Sequence, residues 1–472
     1  MNKENFKQLI VNDSIISESE NSVVMSENDV FKLVSAFNEW LKNNVVREET
    51  NISVSVGTDA SGISEETKVT VFKSLSYNKT EIFDCGKTFV PALFKSIANL
   101  NTTGAIYISS VSADSEKYKI EFITILGHLT RENLVEVVDL IDETEVDVSN
   151  IETECKSDSN LKFYAEMLRQ RFCSHVNSTD YSRPLRGLKF VVYTGGGVSD
   201  FFIDKVILPL GAEVVEVKNS DLIYKECKNV SANIGIKFNY DANGFQLISN
   251  EFGELTKESL TALMSSLFDE ETTILTNFKI TSKLKQYASE QYNVSFEYDE
   301  DEAYSLAKKQ TLLIENGVNC SLAISEDGYC SFSDNNFLID AVYAAYKLIL
   351  KIISLRSEKK TIEDILFDFY NIENQWKIYV NSFDKEGYIR TILTAYEGFS
   401  LKNSVFKTIA DETSVRNIAE NYSVELRNEN NEFLIVSIKT ENKEIVYNLL
   451  ETTYDFLEKF KSINLDEIKY VF

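Results

Sequence analysis

Short strand-like runs and helically spaced segments alternate along nearly the whole chain, and no other feature constrains the fold as much. Residues 51–57 alternate polar and apolar side chains, 65–75 carry apolar residues at helical spacing, and 81–85 form another short strand pattern. Residues 91–99 read as a helix with Pro91 in its first turn, where the missing N–H costs nothing. Residues 104–110 and 119–124 read as two strands around a polar loop. The alternation resumes with a buried-type strand at 187–193, a Gly-rich turn, a helix to Leu210 and a strand at 213–217. Residues 234–238 and 245–249 read as a hairpin whose turn carries Asn243-Gly244. A third stretch, 272–357, closes on an apolar helix expected over 337–354. The last hundred residues read as a strand from 375, helices, two strands at 423–427 and 433–439, and a final helix from Lys443. Strands alternating with helices imply layered α/β architecture. The chain has 472 residues, too many for one core, and only Pro91, Pro184 and Pro209, so no Pro-rich linker separates its parts.

Charge and composition exclude several functions. Asp and Glu outnumber Lys and Arg 74 to 48, a formal charge of −26. Such a field repels nucleic acid and anionic membrane surfaces at long range, so neither is expected as a partner. The six cysteines show no CxxC spacing, which argues against a structural zinc or a redox dithiol. With no apolar leader core and no 18-residue apolar run, a cytoplasmic protein with reduced thiols is expected. His128 and His175 are the only histidines, so mechanisms needing paired histidines start poorly.

Three loops invite chemistry, and each has a plainer reading. Thr194-Gly195-Gly196-Gly197 lacks the GxGxxG order and the Walker lysine, so a tight turn is preferred to phosphate binding. Residues 239–244, Asn-Tyr-Asp-Ala-Asn-Gly, resemble the front of a calcium loop, but position one is Asn, position twelve is Asn250, and strands flank it. A hairpin turn is preferred. Residues 109–114 are hydroxyl-rich, but no base for a serine nucleophile lies near them in sequence.

Taken together, these loops resemble the α-D-phosphohexomutase family (phosphoglucomutase/phosphomannomutase) in order and spacing. Gly57-Thr58-Asp59, Ser64, Gly86 and Val90-Pro91-Ala92-Leu93 are similar to its first-domain frame. Residues 104–122 follow its serine-loop segment without a gap, agreeing at Gly104, Ile106, Ile108, Glu116, Ile120 and Phe122. Val192-Tyr193-Thr194, Leu210-Gly211-Ala212-Glu213, Ile234-Gly235-Ile236, Phe238 and Glu251-Phe252-Gly253 carry it through the second domain. Gly328, Phe332 and Asp340 carry it into the third. The resemblance implies an α/β fold: three mixed α/β domains over 1–150, 151–265 and 266–370, and a smaller C-terminal α+β domain over 371–472, around a central cleft.

The chemical positions depart from that family. Its serine loop reads T-A-S-H-N-P. Here Val111 stands at the serine, Ser112 at the histidine and Ala113 at the asparagine, leaving Ser110 and Ser112 as the only substitutes. Its metal loop D-G-D-G-D-R becomes Asn239, Asp241 and Asn243 with Gly244 at the arginine, so one carboxylate of three remains. Mg²⁺ needs anionic ligands, and no cofactor is expected. Its sugar loop G-E-x-S-G-H becomes residues 324–329, with Gly328 and Tyr329 at the end. Its phosphate loop becomes residues 427–433, where Arg427 survives beside Glu429 and Glu432. Ser61 and Glu121 stand where the family keeps Arg and Lys.

The altered loops on a retained frame imply a pseudoenzyme that binds, regulates or supports, through an unidentified protein partner or self-association. The alternative is a divergent phosphoglucomutase/phosphomannomutase interconverting hexose 1- and 6-phosphates through Ser110 or Ser112 with Mg²⁺. A sugar-phosphate sensor working through Arg427 is a third reading.

Overall fold

The computed structural model describes residues 1–11, 13–19, 23–46, 51–59, 61–111, 115–176, 182–371, 374–400, 407–419, 422–440 and 443–465. The chain forms two compact units, one of residues 1–280 and 292–361, the other of residues 281–291 and 362–472.

The first unit contains three sheets. The N-terminal sheet takes β1 (Ile10–Val11), β2 (Ser14–Ile16), β3 (Ser53–Thr58), β4 (Glu81–Lys87), β5 (Gly104–Ser110), β6 (Tyr118–Thr124), β7 (Gly127–His128) and β8 (Lys156–Ser157), in the order β1-β2-β6-β5-β3-β4-β8 with β7 on β6. Strands β5, β3, β4 and β8 run parallel, and β6 returns antiparallel beside β5. Five helices accompany it: α1 (Lys3–Lys7), α2 (Glu27–Asn44), α3 (Gly62–Tyr77), α4 (Val90–Leu100) and α5 (Arg131–Asp139). Helix α2 starts at a reciprocal cap, in which Ser26 Oγ accepts from the Asp29 amide and the Asp29 carboxylate accepts from the Ser26 amide. Its apolar side seats Phe37 against Phe122 of β6, ring centroids 4.2 Å apart. On the other face of the sheet Ala105, Tyr107 and Ile123 pack with Val90, Leu93 and Ile97 of α4.

Helix α6 (Asn160–His175) leads to a second sheet, β10-β9-β11-β12-β13, built from β9 (Lys189–Tyr193), β10 (Glu213–Glu216), β11 (Ile234–Phe238), β12 (Phe245–Ser249) and β13 (Gly253–Glu254). Helices α7 (Ile223–Val230) and α8 (Lys257–Ser265) accompany it. The helix expected to run to Leu210 is a single π-helical stretch, Phe202–Ile207. The third sheet, β15-β14-β16-β17, contains β14 (Thr272–Thr276), β15 (Val294–Tyr298), β16 (Cys320–Ile324) and β17 (Cys330–Phe332). Helices α10 (Ala303–Glu315) and α11 (Ala341–Ser357) accompany it, while α9 (Ser282–Tyr292) follows β14 in the chain and its residues to Gln291 belong to the second unit. Helix α11 starts later than the expected residue 337. Asn336 and Phe337 both have positive φ, and Asp340 caps the helix by accepting from the Tyr343 amide.

The second unit holds one antiparallel sheet, β18-β22-β21-β20-β19, of β18 (Asn374–Tyr379), β19 (Lys407–Ala410), β20 (Ser414–Ile418), β21 (Tyr422–Glu429) and β22 (Phe433–Thr440). Helices α12 (Ile362–Asn371), α13 (Lys385–Ser400) and α14 (Lys443–Leu457) complete it, with Ile378, Ile392, Leu426, Val436 and Leu450 in its core. Strands β19 and β20 were not expected from sequence, because their pattern is polar with few apolar positions to mark it. Among the described residues no helix is long and apolar enough to cross a membrane.

Candidate functional site

Residues 239–244, between β11 and β12, are where the three sheets of the first unit meet. Gly244 bridges to Tyr329 beyond β16, the Ala341 amide that opens α11 donates to the Ala242 carbonyl at 3.2 Å, and Lys119 of β6 reaches Asp241. The turn keeps its hairpin form, with the Asn239 amide bonded to the Gly244 carbonyl at 2.9 Å. The left-handed residue is Ala242 (φ 58°), not the Asn-Gly pair that the sequence singled out.

Strand parity explains why Lys119 points here. Ile120 and Phe122 of β6 enter the core under α2, so Lys119 and Glu121 must face the other way, opposite Ser109 and Tyr107 of β5. On that face Lys119 Nζ lies 3.1 Å from Glu121 Oε1 and 3.0 Å from Asp241 Oδ2. The three side chains are 18%, 1% and 17% exposed. Burial alone pushes the Lys119 ammonium down, but the Glu121 and Asp241 carboxylates outweigh it and hold it well above its usual value. Asn243 Nδ2 donates to Asp241 Oδ2 at 2.9 Å and lies 3.3 Å from the Tyr304 hydroxyl, and the Tyr304 ring sits 4.3 Å from the His128 ring. Glu121 Oε2, the Tyr107 hydroxyl and both His128 nitrogens are buried without a hydrogen-bond partner among the described residues. Burial pushes His128 below, and Tyr304 well above, their ordinary values.

The serine-loop residues divide sharply. Ser110 is buried at the end of β5, where its amide (2.7 Å) and hydroxyl (3.0 Å) both donate to Asp59 Oδ2. Asp59 Oδ1 accepts from the Ser61 amide and hydroxyl at 3.0 and 2.8 Å, so four donors hold this carboxylate to the loop. Val111 follows, 55% exposed, with its amide on the Lys117 carbonyl. Ser112 lies outside the described residues.

The remaining two loops are tight turns. Gly328 has φ 79°, and a Cβ there would meet the Phe245 carbonyl at 2.3 Å, so only glycine lets the third sheet approach β12 this closely. Tyr329 donates its amide to Ser325 Oγ, and burial pushes its phenol up. In the second unit Arg427 sits on β21 between Ser414 and Ile435, and its Nε is buried without a partner among the described residues. Glu429 and Glu432, expected to repel a phosphate, are ion-paired with Lys377 (2.5 Å) and Lys385 (3.6 Å). Asn430 and Asn431 take positive φ and close the hairpin.

This architecture is shared with solved structures. One is a phosphoglucomutase/phosphomannomutase family protein of Burkholderia thailandensis, 15% identical, with 98% of this chain and 99% of that one covered and a TM-score of 0.60. Another is the exocytosis-sensitive phosphoprotein pp63/parafusin, a phosphoglucomutase from Paramecium, 11% identical, with 91% of both chains covered and a TM-score of 0.57. The fold is that of the phosphohexomutases. No protein-family model and no curated protein matches the sequence. At these identities the likeness concerns the fold, and the chemistry of the phosphohexomutase loops must be argued from this chain's own residues.

The divalent metal that the phosphohexomutase fold implies does not fit the residues present. Two of the three loop positions are neutral amides, and the single carboxylate, Asp241, already holds an ammonium. Among the described residues no group of three His, Cys, Asp or Glu side chains is arranged to hold a metal ion. The structure brings Asp241, Asn243 and Glu121 together with Lys119 and Tyr304, two residues that the sequence did not place at the site. One signal was available: residues two apart on a strand share a face, which puts Lys119 beside Glu121.

Proposed function

We propose that this chain is a phosphohexomutase-fold protein without mutase turnover: a cytosolic binding, regulatory or structural protein acting through a protein partner or self-association. The observation that carries the reading is Val111. An exposed aliphatic side chain stands where the resemblance requires the phosphoryl-accepting hydroxyl, and valine offers no lone pair for attack. The Lys119–Asp241 pair supports the same reading, because no carboxylate of that loop is left to a metal. Hexose phosphates with a hexose 1,6-bisphosphate primer and Mg²⁺ should give no interconversion. Val111→Ser should not restore it, since the loop around Asp241 stays unchanged.

A divergent mutase remains the second reading, favoured by one contact. Ser110 Oγ donates to Asp59 Oδ2 at 3.0 Å, the relation of a nucleophile to its base. Against it, Ser110 is buried and Asp59 accepts from three further donors. Mass spectrometry decides between the two. Phosphoserine at Ser110 after incubation with the primer would favour the mutase reading, whose substrate would be a hexose phosphate and whose expected cofactor is Mg²⁺.

A further inference from the structure

Two carboxylates from different layers of the first unit converge on one ammonium. Glu121 comes from β6 of the N-terminal sheet and Asp241 from the loop of the second sheet, and Lys119 Nζ lies within 3.1 Å of both. No other lysine or arginine is ion-paired with either carboxylate among the described residues, so the group carries one more negative than positive charge. Among the described residues Glu121 Oε2 has no hydrogen-bond partner although its side chain is 1% exposed, and Asp241 Oδ1 receives only the Asn243 amide at 3.4 Å. An oxygen on each carboxylate therefore remains under-used, in a place where unpaired charge is costly.

We propose that this is a cation site permanently filled by the protein's own Lys119, and that removing the side chain uncovers a divalent-metal site formed by Glu121 and Asp241. The ammonium joins β6 to the 239–244 loop by charge, as a bridging metal ion would, and makes that junction independent of metal supply. Two carboxylate oxygens near a vacated side-chain volume suit Mg²⁺ or Mn²⁺, hard ions that keep several waters and take one or two carboxylates. The inference does not depend on whether the chain turns over a sugar phosphate, because it is read from stability and metal binding alone.

The test compares the full-length chain with Lys119→Ala, first in EDTA and then with millimolar Mg²⁺ or Mn²⁺. The unmodified protein should show no saturable change in melting temperature and no bound Mn²⁺ by electron paramagnetic resonance. Without metal, Lys119→Ala should melt on the order of 5 °C lower or more, since the buried Glu121 and the half-buried Asp241 carboxylates are then left uncompensated. Metal should restore the loss saturably, with one Mn²⁺ bound per chain. Adding Asp241→Asn to that variant should abolish the recovery. If Lys119→Ala does not fold in EDTA, Lys119→Gln, which keeps the stem and a donor, is read in the same way. The proposal is overturned if the unmodified protein binds Mn²⁺ at Asp241, if the Lys119 variants are as stable as the parent, or if they remain indifferent to metal.

Discussion

Tyr164 donates its hydroxyl hydrogen bond to the carboxylate of Asp340, joining the N-terminal part of α6 to the N-cap of α11. Both side chains are buried, and the same carboxylate accepts from Asn335 Nδ2 and from the Tyr343 amide, each at 2.9 Å. Burial pushes the Asp340 carboxyl above its ordinary value against these three donors, the Tyr164 bond opposing it most. Asp340 is thus a helix cap and an inter-element tie at once.

Removing the two partners should therefore have unequal effects. Asp340→Ala deletes the cap and strands two buried donors, for a loss of about 3 kcal/mol or more. Tyr164→Phe removes one bond and should cost about 1–2 kcal/mol. Urea unfolding of the two single variants and the double variant gives the coupling directly. Strictly additive losses would mean that the contact contributes nothing of its own.

His128 supplies a pH dependence of definite sign. Its ring lies on Tyr304 with both nitrogens buried and unpartnered among the described residues, and burial lowers its pKa despite the opposing pull of Glu121. As pH falls below the ordinary 6.5, the unfolded chain binds a proton that the folded chain refuses. Stability is then lost from pH 6.5 down to the lowered folded value, at up to about 1.4 kcal/mol per pH unit. His128→Phe keeps a ring on Tyr304 and removes the proton. The stability difference between parent and variant should shift in the variant's favour between pH 7 and pH 5. A difference that stays constant over that range contradicts the assignment.

Much of this architecture was legible in the sequence because period and turn chemistry are local. Strand Gly104–Ser110 has the bounds its pattern implied, and so do both arms of the Ile234–Phe238 and Phe245–Ser249 hairpin. The start of α11 was not legible. The apolar run from residue 337 is interrupted by Asp340 alone, which is the helix N-cap, and the backbone at Asn336 and Phe337 is left-handed. The site hub was hidden for a different reason. Lys119 and Asp241 are 122 residues apart, and Glu121 looked like a bare substitution of charge until the neighbouring lysine on its own strand face was seen to neutralise it. In the second unit, Lys377 and Lys385 likewise pair with acidic residues that the sequence alone presents as unopposed.

Those lysines bear on the last prediction, which concerns phosphate binding at Arg427. A phosphate dianion in water is displaced from its hydration only by several converging donors, as arginine forks, ammonium groups or free backbone amides. At the tip of β21 and β22 most of these are already engaged. Lys377 holds Glu429 and covers the Phe433 ring at 4.1 Å, while Lys385 holds Glu432 and covers the Tyr379 ring at 4.6 Å. The Asn431 amide donates to Asn428 Oδ1 and the Glu432 amide to the Glu429 carbonyl, so the turn directs these N–H groups inward. Among the described residues of this tip Arg427 is the cation that no ion pair engages, its Nε is buried, and the chain's net charge of −26 opposes an approaching anion most strongly at low salt. Glucose and mannose phosphates should bind no tighter than about millimolar, and Arg427→Ala should leave that affinity unchanged within error. Calorimetry at low ionic strength measures both. Micromolar binding that disappears in Arg427→Ala would replace the proposed non-enzymatic role with that of a sugar-phosphate sensor, and would require Lys377 or Lys385 to exchange its carboxylate partner for the ligand.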